Sequence, residues 1–227
     1  MTLARRLAAE ALGTALLLAM IVGSGIMGEQ LAGGNSAIAL LANALATAAG
    51  LAVLILIFSQ VSGAHFNPLV SIAEAARAGL PWREVPLYIA AQIAGAFAGT
   101  ATAHLMFGKP LFFASQHARS GWPMLWSEVV ASFGLLLVVL LVSKTRAAAL
   151  PLAVGAYIGA AYWFTSSTSF ANPAVTFARA ASDTFAGIRP GDVPGFIGAQ
   201  IVGAALAFVL YRWVFKKPRS SPIGLPG

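Results

Sequence analysis

The sequence predicts an all-α membrane protein in which six transmembrane helices and two re-entrant half-helices form an inverted repeat. Three observations carry this reading. The chain is 59% hydrophobic and only 9% charged, whereas soluble domains carry about 25% charged residues. Six apolar segments approach or exceed the roughly 20 residues that a helix needs to cross the hydrocarbon core. Two Asn-Pro segments stand in matching places in the two halves, each followed by a helical stretch too short to span.

The spans are expected near Leu7 to Gly28, Ile38 to Gln60, Val85 to Phe107, Leu125 to Ser143, Ala147 to Ser167 and Phe196 to Phe215. The first follows Arg5 and Arg6, as in a signal peptide. Its apolar run is longer than the roughly 7–15 residues of such a segment and no convincing cleavage site follows, so it is read as a retained helix. The net charge of +7 is distributed over the loops rather than gathered in one patch or stripe, which argues against a nucleic-acid partner. With the N-terminus in the cytoplasm, the inner side holds Arg5, Arg6, Arg77, Arg83, Lys144, Arg146, Arg212, Lys216, Lys217 and Arg219. The outer side then holds Lys109, Arg119, Arg179 and Arg189. This is the positive-inside pattern, and it predicts that both termini are cytoplasmic. Trp82, Trp122, Trp126 and Trp213 lie near segment ends, where interfacial tryptophans belong. The absence of cysteine excludes disulfides, thiolate metal sites and cysteine nucleophiles.

The halves read as copies. Glu10 in the first span is matched by Glu128 in the fourth, and Gln92 in the third by Gln200 in the sixth. HFNPLVSIAEAARAG and FANPAVTFARAASDT align without a gap, pairing Asn67 with Asn172, Val70 with Val175 and Ser71 with Thr176. Each half has three spans, so the copies enter the membrane from opposite sides and share a site near the midplane. The repeats are expected at about 7–108 and 124–216 of a single channel domain, 1–227. Gly95 with Gly99 and Gly155 with Gly159 have the small-xxx-small spacing that lets helices approach. Glycine is also common in membrane helices generally, and that alternative stays open.

Asn ahead of Pro starts a helix: the side chain caps free amides, and Pro at the first helical position forfeits no donor. One such dipeptide marks only a turn. Two, each preceded by non-helical backbone at 62–65 and 165–171, demand more, because irregular backbone at membrane depth must be buried or line a water-filled cavity. Opposed half-helices aim their positive ends at a common midpoint, which disfavours cations and leaves the Asn amides as donors and the loop carbonyls as acceptors. Such a path suits small neutral solutes with hydroxyl groups.

These paired boxes and paired Glu and Gln landmarks, from Glu10 to about Gln200, resemble the major intrinsic protein family of aquaporins and aquaglyceroporins, whose mark is two NPA boxes. The resemblance implies the aquaporin fold, a homotetramer with one pore per subunit, and Asn67 and Asn172 at the pore centre. It implies neither enzymatic activity nor a cofactor or metal. Membrane-buried carboxylates hold the two loops in the family, a role that maps onto Glu10 and Glu128. An ionisable group inside a span should face the interior with a partner. The alternative leaves Glu10 near the interface, reaching to water.

Two departures from the family pattern matter. The first box reads NPL, with Leu69 in place of alanine, packed behind the Asn. After the second box the family usually has arginine and this chain has Val175, so the outer constriction lacks that fixed cation and its fork of donors. Arg179 stands one turn further on and shares a helix face with Val175. It is nevertheless expected near the outer surface of the half-helix, paired with Asp183 or the lipid interface. Matching the other spans to the family adds Thr47 and Tyr162, with Ser169 from the second loop, to give a filter of Thr47, Tyr162, Ser169 and Val175 that is wider or more apolar than a strict water filter. The run YWFTSSTSFANPAVTFARA resembles a bacterial branch that passes neutral metalloid hydroxides such as arsenous acid. His65 and Phe66 fall in the first pore loop, although a His65 satisfied by backbone contacts is equally open. His104 is expected to be a packed hydrogen-bonder, and His117 carries no signal.

The expected function is a passive channel in the bacterial inner membrane for glycerol-like polyols, urea, metalloid hydroxides and water. A strict water channel with an atypical filter is the nearest alternative. A secondary transporter would show more ionisable residues within the bundle than Glu10, Glu128 and His104. An adhesion or structural protein would have no use for two re-entrant loops.

Overall fold

The computed structural model describes residues 1–215; Lys216, Lys217 and Arg219, counted above on the inner side, and the end of the second repeat at residue 216 lie outside that range. Eight α-helices occur among the described residues: α1 (Leu3–Leu31), α2 (Ser36–Ser62), α3 (Pro68–Ala76), α4 (Val85–Met106), α5 (Trp122–Thr145), α6 (Leu150–Phe164), α7 (Pro173–Arg179) and α8 (Val193–Val214). Six of them, α4, α6 and α8 together with a preceding 3-10 turn, are long and apolar enough to cross a membrane. The helices α3 and α7, of 9 and 7 residues, rise about 1.5 Å per residue and reach only part of the way.

Local chemistry sets the boundaries. Thr2 and Asn35 cap α1 and α2 through their side-chain oxygens. Pro86, Pro123, Pro151 and Pro194 open α4, α5, α6 and α8 at positions where a missing N–H costs nothing. The fifth span was expected to run to Ser167, yet α6 stops at Phe164, because Thr165 turns extended (φ −110°, ψ 137°) and starts the second re-entrant loop.

Packing repeats between the halves. The most extensive contacts pair α1 with α4 and α5 with α8, while α2 against α6 joins the halves. Glycines permit the approach: a Cβ at Gly95 or Gly99 would overlap the Ala11 or Ala15 carbonyl of α1, and one at Gly203 would overlap that of Val129 on α5. Gly155 lies against the Ala48 carbonyl of α2 in the same way, and a Cβ at Gly159 would come within 3.0 Å of the Ala48 Cβ. The spacing therefore does serve close packing. Large apolar side chains such as Leu45, Leu105 and Val209 stay exposed around the outside, as a lipid-facing surface requires, and Trp82, Trp122, Trp126 and Trp213 are exposed near helix ends.

Six crossings bring the chain back to the face on which it began, termed here the terminal face. The loop ahead of α3 enters from that face and the loop ahead of α7 from the far face. The two half-helices touch each other, and both pack on α4 and α8.

Candidate functional site

Each re-entrant loop is held by one buried carboxylate. Glu10 of α1 is 0% exposed. Its Oε1 accepts from the Ser62 hydroxyl at 2.6 Å and the His65 amide at 2.9 Å, and its Oε2 from the Phe66 amide at 2.7 Å and Gln92 Nε2 at 2.8 Å. Glu128 of α5, also 0% exposed, repeats the pattern. Its Oε1 accepts from the Ser167 hydroxyl at 2.6 Å and the Phe170 amide at 2.9 Å, and its Oε2 from the Ala171 amide at 2.9 Å and Gln200 Nε2 at 2.7 Å. Each glutamine passes the network on to its half-helix, Gln92 to Ser71 at 2.9 Å and Gln200 to Thr176 at 2.8 Å. Both carboxylates are fully buried, so Glu10 does not reach to water.

The carboxylates offset a conformational cost. Ala64, Phe66, Thr168, Ser169 and Ala171 all take positive φ, from 47° to 61°, at about 1–2 kcal/mol each for a residue with a Cβ. Charge-assisted bonds to the neighbouring amides compensate that cost. The sequence reading missed Ser62 and Ser167. Each stands five residues before its Asn, and that shared offset was the available signal.

Between the loops the two half-helices meet end to end. Asn67 Oδ1 caps α3 by accepting from the Leu69 amide at 3.0 Å. Asn172 Oδ1 caps α7 by accepting from the Ala174 amide at 3.0 Å and the Val175 amide at 3.3 Å. The two side chains also cross-link the loops: Asn67 Nδ2 donates to the Ala171 carbonyl and Asn172 Nδ2 to that of Phe66, both at 2.8 Å. An amide nitrogen carries two N–H groups. One from each Asn is thus engaged, and a second remains.

Both asparagines line one elongated cavity of about 430 Å³. Its wall has two characters. Aliphatic side chains of α1, α2, α5 and α6, among them Leu17, Ile21, Ile55, Leu135, Val139 and Ile158, form one side. Loop residues 62–66 and 169–171 supply the other, mostly small or polar residues with Phe66 and Phe170 among them. Toward the terminal face Arg6, His65, Glu74, Tyr88 and Ser143 join the lining.

Thr47, Tyr162, Ser169 and Val175 come together on this cavity from α2, α6, the second loop and α7. The Tyr162 hydroxyl donates to Thr47 Oγ1 at 3.3 Å. His65 lines the cavity with Nδ1 3.0 Å from the Ser71 hydroxyl. Phe66 and Leu69 are buried, Phe66 on the cavity and against Gly13. His104 is buried between the Leu111 carbonyl and the Ser182 hydroxyl, at 2.7 and 2.8 Å, and is a packed hydrogen-bonder. His117 lies in the loop before α5, where its carbonyl accepts from the Arg189 amide at 2.8 Å.

Arg179 corrects the expectation. It is only 1% exposed and lines the cavity instead of facing the outer surface. Its Nε donates to the Ala186 carbonyl, and its guanidinium lies 3.4 Å from the Phe170 ring centroid. Asp183 is engaged elsewhere, accepting from the Gln116 amide at 2.8 Å. The physical reason is that the segment after α7 folds back over the half-helix to offer the Ala186 carbonyl, while Phe170 of the loop before α7 offers an aromatic face, and the two together cradle a cation. A second arginine was missed altogether. Arg119 donates to the carbonyls of Gly187 at 2.7 Å, Ser167 at 3.2 Å and Phe185 at 3.4 Å, tying the outer loops together. Burial pushes its pKa down to about 10, so it keeps its charge at neutral pH.

Comparison with known proteins places this geometry. The family model for major intrinsic protein matches residues 1–169. The chain is 52% identical to aquaglyceroporin AqpS of Rhizobium meliloti (strain 1021) over 218 residues, 96% of this chain and 93% of that protein. It is 42% identical to the putative aquaporin NIP4-1 of Arabidopsis thaliana over 94 residues, 40% of this chain and 33% of that one. Among solved structures, the aquaglyceroporin from Plasmodium falciparum superposes with a TM-score of 0.68 over 95% of this chain and 96% of that one, at 23% identity, which speaks to the fold. A single family match reaching from the first helix into the second re-entrant loop, a relative alike over nearly the full length, and the aquaporin fold itself establish that the chain belongs to the major intrinsic protein family of membrane channels and is not an enzyme.

Proposed function

We propose that this channel passes small neutral solutes bearing hydroxyl or amide groups: glycerol-like polyols, urea and metalloid hydroxides such as arsenous acid, with water. The observation that carries the reading is the two-sided lining of the cavity. An aliphatic wall accommodates the carbon side of a polyol, while the opposite stripe of loop carbonyls and the Asn67 and Asn172 amides exchanges hydrogen bonds with its hydroxyls one after another. Each site then binds well enough to strip water and weakly enough to release. Thr47, Tyr162, Ser169 and Val175 act as the filter. A valine where the family usually has an arginine leaves room for solutes larger than water, in keeping with a relative named as an aquaglyceroporin.

Ions are excluded by the positive N-terminal ends of α3 and α7 meeting at the asparagines and by the cost of dehydration. Glu10 and Glu128 hold the loops. The working unit is a homotetramer with one pore per subunit in the bacterial inner membrane, both termini cytoplasmic. Each subunit is one domain with repeats at about 7–108 and 124–216.

One observation favours a second reading. The Tyr162 hydroxyl bonded to Thr47 at 3.3 Å draws two filter residues together, and a bridge that persisted would narrow the passage to water. Stopped-flow swelling of proteoliposomes with glycerol, urea and arsenous acid separates the two. Solute entry well above that of protein-free vesicles supports the solute channel, and water flux alone supports the strict water channel.

A further inference from the structure

We propose that Arg179 is the specificity-determining cation of the far-face constriction, presenting Nη1 to the acceptor oxygen of a passing solute. The inference rests on the channel reading above and deepens it. Two guanidiniums are buried at this end of the molecule, and they differ in how far they are satisfied. Arg119 is bound through three of its nitrogens to loop carbonyls and does not line the cavity. Arg179 does line it. Its Nε is fixed by Ala186 and its flat face by Phe170, while Nη1 is buried with no partner among the described residues. None of the ion pairs among those residues involves it.

A buried, unmatched donor on a permanent cation is costly. Here the donor belongs to a side chain held on two sides at the wall of a cavity that Val175 and Ser169 also line. Ser169 Oγ is also buried and unpartnered, and Ser169 lines the same cavity. A guanidinium N–H that only donates and a hydroxyl that donates or accepts together match a solute hydroxyl, which needs one partner of each kind. The fixed charge also repels cations at the point where Val175 does not. Arg179 thus supplies, from one helical turn further along α7, the cation absent at position 175.

The test uses proteoliposomes of the full chain carrying Arg179→Gln, Arg179→Lys or Arg179→Gln with Val175→Arg. Glycerol and water permeability are read by light scattering, and potassium and proton leak with trapped dyes. For Arg179→Gln the expected result is a cation leak at least roughly tenfold higher, the factor that about 1.4 kcal/mol of barrier represents, with a changed ratio of glycerol to water permeability. Arg179→Lys, which keeps the charge but not the planar fork, should hold the leak low and still shift that ratio. It carries the comparison if the glutamine variant fails to fold. In the double variant, cation exclusion should return. Folded variants whose leak and permeability ratio stay within about twofold of the unaltered protein overturn the role of Arg179 while leaving the channel standing. Unaltered protein that conducts no better than protein-free vesicles overturns the channel reading itself, and this inference with it.

Discussion

Replacing Glu128 tests how far the far-face loop depends on one carboxylate. Four donors converge on it: the Ser167 hydroxyl, the Phe170 and Ala171 amides and Gln200 Nε2, all within 2.9 Å. In Glu128→Leu all four lose their acceptor at a site that is 0% exposed. Ser167 and Gln200 can rotate toward other partners, but the two backbone amides cannot. At about 1–3 kcal/mol per stranded buried donor, they alone cost about 2–6 kcal/mol. Native proteins have only about 5–15 kcal/mol in total, so the loop opens or the yield of folded protein collapses. Glu128→Gln keeps one acceptor oxygen and turns the other into a donor, which sets one loop amide against an N–H and costs about 1–3 kcal/mol. At about 2–4 °C per kcal/mol for a chain of this size, its melting midpoint should fall by roughly 2–12 °C. Thermal melting in detergent, followed by size exclusion, should rank unaltered protein above glutamine and glutamine above leucine. Equal midpoints and equal yields for the two variants would refute the assignment of Glu128 as the loop's anchor.

Further outcomes follow from the same geometry. Asn172→Leu removes the cap of α7 and the 2.8 Å bond to the Phe66 carbonyl; it should cost about 1 kcal/mol at the helix end and abolish swelling in proteoliposomes, so a folded variant with normal permeability would contradict the central role of the asparagine. Val175→Arg should narrow the filter and reduce glycerol entry much more than water flux; an equal loss of both would favour the strict water channel. Gly95→Val should separate α1 from α4 and cost about 1–3 kcal/mol or more, because any Cβ there meets the Ala11 carbonyl. Gly198→Ala on α8 has no atom within 4 Å of the new methyl and should be neutral or stabilising by up to about 1 kcal/mol; thermal melting compares the pair.

The fold was legible because its causes are compositional and local. A membrane core selects apolar runs of spanning length, and an Asn-Pro start announces itself wherever a helix begins. The duplicated landmarks Glu10 and Glu128, and Gln92 and Gln200, converge on matching networks because each pair occupies equivalent places in the two halves. What stayed hidden depends on contacts between distant segments. The position of Arg179 is set by Ala186 and Phe170, and a long side chain with several rotatable bonds gives no sign in sequence of which way it will turn. Arg119 reads as one more loop cation until Gly187, Ser167 and Phe185 are folded around it. The positive φ values at Phe66 and Ala171 were equally silent, since neither is the glycine that normally marks such backbone; they persist because Glu10 and Glu128 bind the amides on those residues.

On the proposed function, a neutral solute crosses by simple passage between the two half-helix ends. That passage is tested most directly by the concentration dependence of glycerol entry into proteoliposomes of the unaltered protein, measured by stopped-flow light scattering with no ion gradient imposed. Simple passage gives a rate that rises in proportion to glycerol concentration, shows no saturation at ordinary concentrations and is lost in Asn172→Leu vesicles. A rate that saturates, that requires an ion gradient, or that does not exceed that of protein-free vesicles while water flux does, would contradict it.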